Sequence, residues 1–290
     1  MSALDSPLLA LPAELRNEIY AWLFCSTTIQ YQQRWPYDRP YTQTITVTEP
    51  NSLSLLRVNR ALHTELRHAW LSLVEFSFTS PWGMLDVFTP LPRSTLSLIR
   101  HVRVWEGGIV LNVLQRGGGG LRREARGLPW ALDMLVPALR LDVLTVVGAH
   151  HHFSDENDYK MAKLVRESRG WKVLQFHSTE SIRLPNPGFW TKVLVERDGE
   201  GKGAEAVVYS GFLGGFSAGV YEPDQRQTIT GEDDTVDFMY MDDVAGPNVA
   251  SLAVFRRGRD ADIAGEAGAG ARVEGETWAV IKERHGRGGC

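Results

Sequence analysis

The sequence predicts a mixed fold of the α+β or α/β class. An N-terminal helical unit with an inserted β-hairpin leads into an α/β body, where strands and helices alternate like an irregular leucine-rich-repeat stack without a shared repeat motif. Three observations carry this. Apolar residues recur at spacings of three and four over residues 11–24, and again from Pro50 to about Leu73. Between them, residues 28–33 and 43–48 alternate or are β-branched, flanking the turn-rich Trp35-Pro36-Tyr37-Asp38-Arg39-Pro40. Beyond them, strand-like runs at 76–78, 101–105, 143–147 and 173–176 follow helical stretches at roughly 30–40-residue intervals, the rhythm of a partly parallel sheet.

The first helix is expected over residues 11–24, with Leu11, Leu15, Ile19, Trp22 and Leu23 as its apolar stripe. Pro12 suits a first-turn position and Glu14 lies near the positive helix end. Pro50-Asn51-Ser52 resembles a helix start, with Leu55, Val58, Leu62, Leu66, Ala69, Trp70 and Leu73 on one face and Arg57, Arg60, Thr64 and Arg67 on another. Trp82 to Leu91 reads as a weak helix, and Ile109 to Leu139 as mostly helical, interrupted by Gly117 to Gly120. Asp155 to Arg169 is a helix that Ser154 would cap. Lys192 to Glu196 and Ala206 to Ser210 read as a hairpin around Asp198-Gly199-Glu200-Gly201. Strands are expected at Ala250 to Arg256 and Thr277 to Lys282, joined through a Gly- and Ala-rich stretch, residues 258–275, that reads as a flexible connection. These segments group into an N-terminal unit (1–80), an α/β body (81–215) and a Gly-rich, acidic C-terminal region (216–290).

A chain of 290 residues can bury a large core without disulfide staples. Its net charge of −4 argues against a general nucleic-acid binder. Cys25 and Cys290 are too few for a disulfide framework or a cysteine zinc site, and fit a reducing compartment. No secretory signal is expected at the N-terminus, and no apolar run approaches the ~20 residues needed to cross a bilayer. The expected setting is cytoplasmic or nuclear, without membrane or nucleic-acid partners.

The stretch Leu11-Pro12-Ala13-Glu14-Leu15-Arg16-Asn17-Glu18-Ile19-Tyr20, followed by Leu55-Leu56-Arg57-Val58-Asn59-Arg60 and Glu65, resembles the fungal F-box-like families that open with LPxELRxxIY. The resemblance covers roughly residues 8–78, about a quarter of the chain. It implies that the N-terminal unit is F-box-like. In F-boxes proper such helices dock on the Skp adaptor of a cullin–RING ubiquitin ligase, while the rest of the chain captures a protein substrate. Carried across, Leu11, Pro12, Leu15 and Ile19 would contact the adaptor, together with Leu55, Val58 and Leu62 of the later helix. Two departures stand out: about 25 residues separate the two helices where an F-box has a short link, and Asn59 replaces the usual Cys.

Other motifs point elsewhere. Gly215-Phe216-Ser217-Ala218-Gly219 matches the nucleophile elbow of serine hydrolases, and Asp237 or Asp242 and then His285 would give the chain order of a triad. The following Val220-Tyr221-Glu222-Pro223-Asp224 is a poor helix, however. Tyr240-Met241-Asp242-Asp243 spells a polymerase motif but lacks a second strand and a third acid, so it reads as an acidic turn. Gly199-Glu200-Gly201-Lys202-Gly203 has no Ser or Thr after its Lys and reads as a turn rather than a phosphate loop. His150-His151-His152 with Asp155 lacks metal-ligand spacing. The expectation is a non-enzymatic protein-interaction module without cofactor, metal or catalytic residue. The alternatives are a serine hydrolase using Ser217, and a self-contained domain whose Leu15, Ile19 and Leu62 are all buried.

Overall fold

The computed structural model describes residues 7–34, 42–48, 50–106, 109–114, 121–135, 138–148, 154–178, 187–199, 203–212, 249–258, 261, 263 and 278–280. Helix α1 (Ala13–Cys25) leads into the antiparallel hairpin β1 (Thr28–Arg34) and β2 (Thr42–Val47). Helices α2 (Pro50–Val58) and α3 (Arg60–Leu66) and a 3-10 turn (Ala69–Ser72) precede β3 (Glu75–Phe78). Then come α4 (Pro81–Phe88), α5 (Arg93–Leu96), β4 (His101–Trp105), a hairpin of β5 (Ile109–Leu114) and β6 (Leu121–Arg126), α6 (Leu128–Leu135) and β7 (Leu141–Gly148). The chain continues through α7 (Ser154–Glu167), β8 (Trp171–Ser178), α8 (Pro187–Asp198), β9 (Glu205–Phe212) and β10 (Val249–Arg256).

Eight strands form one mixed sheet in the order β2-β1-β3-β4-β7-β8-β10-β9. Its centre, β1-β3-β4-β7-β8, is parallel, and antiparallel pairs close both ends. The expected N-terminal unit and body therefore share this sheet, since β3 pairs directly with β4. The parallel strands add in one direction only, so successive crossovers of the usual hand carry their helices to the same face.

The register shows why that face is the core. Ile29, Phe76, Val102, Leu144, Leu174, Phe255 and Ala206 lie side by side across the sheet, and all are buried. A second row holds Tyr31, Phe78, Val104, Val146, Phe176 and Ala253. Tyr20 and Phe24 of α1, Leu62 and Leu66 of α3, Phe88 of α4, Leu132 of α6, Leu164 of α7 and Trp190 of α8 join both rows in one cluster. Phe88 meets Phe76 and Phe78 edge-on, with centroids 5.9 and 5.0 Å away. The opposite face carries Gln30, Ser77, Arg103, Thr145 and Gln175 in one row, which ends in Val254 and Val207.

Several expectations are corrected. Ile109 to Arg126 is a β-hairpin rather than helix, and only residues 128–135 of that stretch are helical. The glycine run 117–120 falls in the hairpin's connection, outside the described residues. Lys192 to Glu196 belongs to helix α8, not to a strand paired with β9, which pairs with β10 instead. Trp190, Val193 and Leu194 are its buried side, at helical spacing. Gly199 ends α8 at φ +88°, the left-handed conformation that glycine adopts without penalty, and its N–H donates to the Val195 carbonyl. The single helix expected over 50–73 is broken at Asn59, whose extended backbone (φ −149°) lets its side chain cap α3 by accepting from Ala61 N. The break separates Arg57 from Arg60 and Arg67, which therefore do not form one helix face. Residues 278–280, expected in a strand, form a helical turn.

The far end of the sheet is locked by a buried ion pair. Arg257, just past β10, donates from Nε and Nη2 to both Asp198 oxygens, at 2.9 and 2.6 Å. Its guanidinium also lies 5.7 Å from the Trp171 ring centroid, and Arg197 lies 5.0 Å from the same ring. The end of α8, the start of β8 and the end of β10 thus meet at one charged node. Arg257→Met removes the bidentate partner of the buried Asp198 carboxylate and leaves it the longer contact to Arg197 Nε at 3.7 Å, and the expected cost is about 3 kcal/mol, read as a lower urea midpoint with unchanged slope.

Candidate partner-binding surface

Helix α1 carries apolar residues on two sides. Tyr20 and Phe24, four apart, are buried against the sheet, with Leu23 half-buried beside them. Leu15, Ile19 and Trp22 recur at i, i+4 and i+7 on the other side and are 47%, 42% and 84% exposed. Spacing alone marks both stripes as candidate core. Only one can face the sheet, and the pair of large aromatic residues takes it.

The outward stripe stands on a helix held at several points. Arg16 donates from Nη1 to the Leu11 carbonyl at 2.5 Å, closing the turn before the helix, and from Nε to Glu65 of α3 at 3.0 Å. Burial, and then the Glu65 carboxylate, raise the Tyr20 phenol above its ordinary range, while Arg16 opposes them, so the phenol stays neutral under the helix. At the C-terminal end, Thr27 Oγ1 donates to the Leu23 carbonyl, and the buried Thr27 and Ser52 hydroxyls lie 2.7 Å apart, joining α1 to α2. His63 of α3 donates from Nδ1 to the Leu56 carbonyl of α2 at 3.0 Å, bracing the break at Asn59.

The expected contact residues divide into two groups. Pro12, Leu15, Ile19 and Val58 are exposed, and Leu11 is half-exposed. Leu55 is half-buried against the core, and Leu62 is only 2% exposed, so Leu62 holds α3 to the body and is not available to a partner. Trp22 was expected in the apolar stripe but not among the contacts, yet it is the most exposed member. Arg57, Arg60 and Arg67 are all exposed. Ser217, Asp237, Asp242, His285, the Tyr240 to Asp243 motif, Lys202 and His150 to His152 lie outside the described residues. Among the described residues no group of three His, Cys, Asp or Glu could hold a metal ion, and no helix is long and apolar enough to cross a membrane. No protein-family model, curated protein or solved structure matches the chain.

The face of the sheet opposite the core rows carries His101 and Arg103 of β4 and, beyond β7, His177 of β8. Burial lowers the His101 pKa below the usual 6.5, against Asp142 and Glu75, with Arg100 adding to the lowering. Burial, and then Arg103, lower that of His177 in the same way. A depressed folded value means that the unfolded chain binds more protons once pH drops below about 6.5, so the stability these neutral rings contribute is complete above that pH and lost as pH falls through the folded values. Replacing both rings, His101→Gln with His177→Gln, is expected to flatten the dependence of the urea midpoint on pH below about 6.5.

The two sides of α1 differ in the same measurement. Phe24→Ala is expected to cost about 3–5 kcal/mol, whereas Ile19→Ser should stay within about 0.5 kcal/mol of wild type.

Proposed function

We propose that the chain is a non-enzymatic interaction protein that docks through the outward side of α1, as an F-box-type substrate receptor of a cullin–RING ubiquitin ligase. The observation that carries this is the exposed Leu15, Ile19 and Trp22 stripe on a helix anchored from its opposite side. Three large apolar residues on one side of an anchored helix offer a preformed contact, and a tryptophan is the residue type most often dominant in such contacts. Leu15 and Ile19 are also the positions that the LPxELRxxIY resemblance assigns to the Skp adaptor. Their exposure runs against the self-contained alternative, which needs both buried.

The test is co-purification of the full chain with the Skp adaptor, comparing wild type with Leu15→Asp, Ile19→Asp and Trp22→Asp. Far-UV circular dichroism on each checks that it folds. Capture by wild type and at least tenfold weaker capture by the folded variants is the expected outcome. A well-folded wild type that captures no adaptor removes the receptor reading.

A further inference from the structure

Among the described residues the sheet ends on one side at β2, the last strand in its order. With the residue after it, the strand reads Thr42-Gln43-Thr44-Ile45-Thr46-Val47-Thr48. The run holds no charge and no proline. The β1–β2 register proceeds residue for residue from Ile29↔Val47 to Arg34↔Thr42, without a bulge. Charges, prolines and bulges are among the usual devices that keep an edge strand from pairing, and β2 has none of them. Thr44, Ile45 and Thr46 are exposed, Ile45 at 59%, so the edge is open at the middle of the strand.

The backbone groups offered there follow from the ladder. The Thr48 N–H donates to the Thr28 carbonyl at 2.9 Å. Opposite residues of an antiparallel pair alternate between exchanging hydrogen bonds and turning their groups away. The bonded pairs therefore continue as Gln30↔Thr46, Gln32↔Thr44 and Arg34↔Thr42. Gln43, Ile45 and Val47 turn their N–H and C=O groups outward. The far side of β1 agrees: its Tyr31 carbonyl, and that of Thr27 before it, accept from Thr79 and Glu75 on the β3 side, at 3.4 and 3.1 Å. Ile45 lies opposite Tyr31 and Val47 opposite Ile29, so both stand on the core side of the sheet.

The run is symmetric about Ile45 at its threonines, which stand one and three places away on either side. A two-fold axis through Ile45 sets a second copy antiparallel, with Ile45 opposite Ile45, Gln43 opposite Val47, Thr44 opposite Thr46 and Thr42 opposite Thr48. The outward residues then meet as three bonded pairs of two hydrogen bonds each, and none of their groups is left over. Thr44 and Thr46 make a favourable cross-strand pair. Charge also fits a like partner, because an uncharged strand brings no like charges together across a two-fold. The row of Tyr31 and Ile45 continues into Ile45 and Tyr31 of the second copy.

We propose that β2 is a homodimerisation edge, through which two copies of this chain join antiparallel about Ile45 into one continuous sheet. Such an isologous contact closes at two copies. It is small by the standard of stable complexes, which sets the association on the order of 10 μM. The proposal does not rest on the α1 surface or on the receptor reading.

The test is sedimentation velocity on the full chain over about 1–200 μM, comparing wild type with Ile45→Pro, Ile45→Lys and Ile45→Asp. Far-UV circular dichroism checks the fold of each. Ile45→Pro removes an outward donor and no β1–β2 hydrogen bond. Lys or Asp at this position sets like charges face to face on the axis. The wild type is expected to show a reversible monomer–dimer equilibrium, and each folded variant at least tenfold weaker dimerisation. An equimolar mixture of Ile45→Lys and Ile45→Asp should dimerise at least tenfold better than either alone, which requires residue 45 to face its own copy. A wild type that stays monomeric overturns the proposal. So does a dimer that the variants leave intact, assembly beyond the dimer, or a mixture no better than its parts. Loss of fold in all three variants also overturns it, since the edge would then serve the chain's own core.

Discussion

The structure depends on a single register. The parallel pairing aligns Phe76, Val102, Leu144 and Leu174 on one level and Phe78, Val104, Val146 and Phe176 on the next. Side chains alternate along a strand, so a slip of one residue in any pair would exchange these rows for the Ser77, Arg103, Thr145 and Gln175 row. It would set Arg103 against the helices and turn aromatic and aliphatic residues outward. The polar row on one face and the apolar rows on the other therefore specify the same alignment. Every helix that contributes to the core does so by adding to the apolar rows.

From this follows the division of labour among the helices. Sequential parallel strands place their crossovers on one side, so α4, α6 and α7 pack in succession as a layer that α8 continues, and residues of α1 and α3 join the same buried cluster. A helix in a layer one deep has an inner and an outer side. For α7 the exposed Lys163, Arg166 and Glu167 fit the outer side of a solvated helix. For α1 the outer side is Leu15, Ile19 and Trp22, and no solvation argument accounts for three large apolar residues at that spacing. The architecture thus separates what holds α1 in place, Tyr20 and Phe24, from what α1 offers. A partner could occupy the outer side without disturbing the core.

How much of this is legible in the sequence depends on whether local pattern and tertiary environment agree. Strands β3, β4, β7, β8 and β10 are short apolar or alternating runs between helical stretches, and they lie where periodicity puts them. Ile109 to Leu114 fails because a short apolar run looks alike in a strand and a buried helix, and the two readings part only when its partner across the glycines is known. Lys192 to Glu196 fails in the opposite sense. Its valines favour strand, but the period set by Trp190, Val193, Leu194 and Arg197 is helical, and packing on Phe255, whose ring lies 5.4 Å from Trp190, overrides the local preference. Asn59 was visible as a departure from the F-box pattern. Its consequence, a capped break between α2 and α3, follows from an asparagine side chain's capacity to bond a nearby backbone N–H.

The candidate surface was legible in composition but not in direction. Leu15, Ile19, Trp22, Tyr20 and Phe24 lie within ten residues, and nothing in their order states which pair meets the sheet. The outward stripe holds the larger Trp22, so side-chain size does not decide between the sides; it is the position of Tyr20 and Phe24 in the buried cluster that marks the inner side. Leu62 follows from the same reasoning on α3. It lies four residues before Leu66, both are buried, and the salt bridge from Arg16 to Glu65 crosses beside them. An exposed ion pair of that kind adds little stability. Its place at the α1–α3 contact instead fixes the rotation of α1, so the side that presents Leu15, Ile19 and Trp22 is set by aromatic burial below and by charge pairing at the flank.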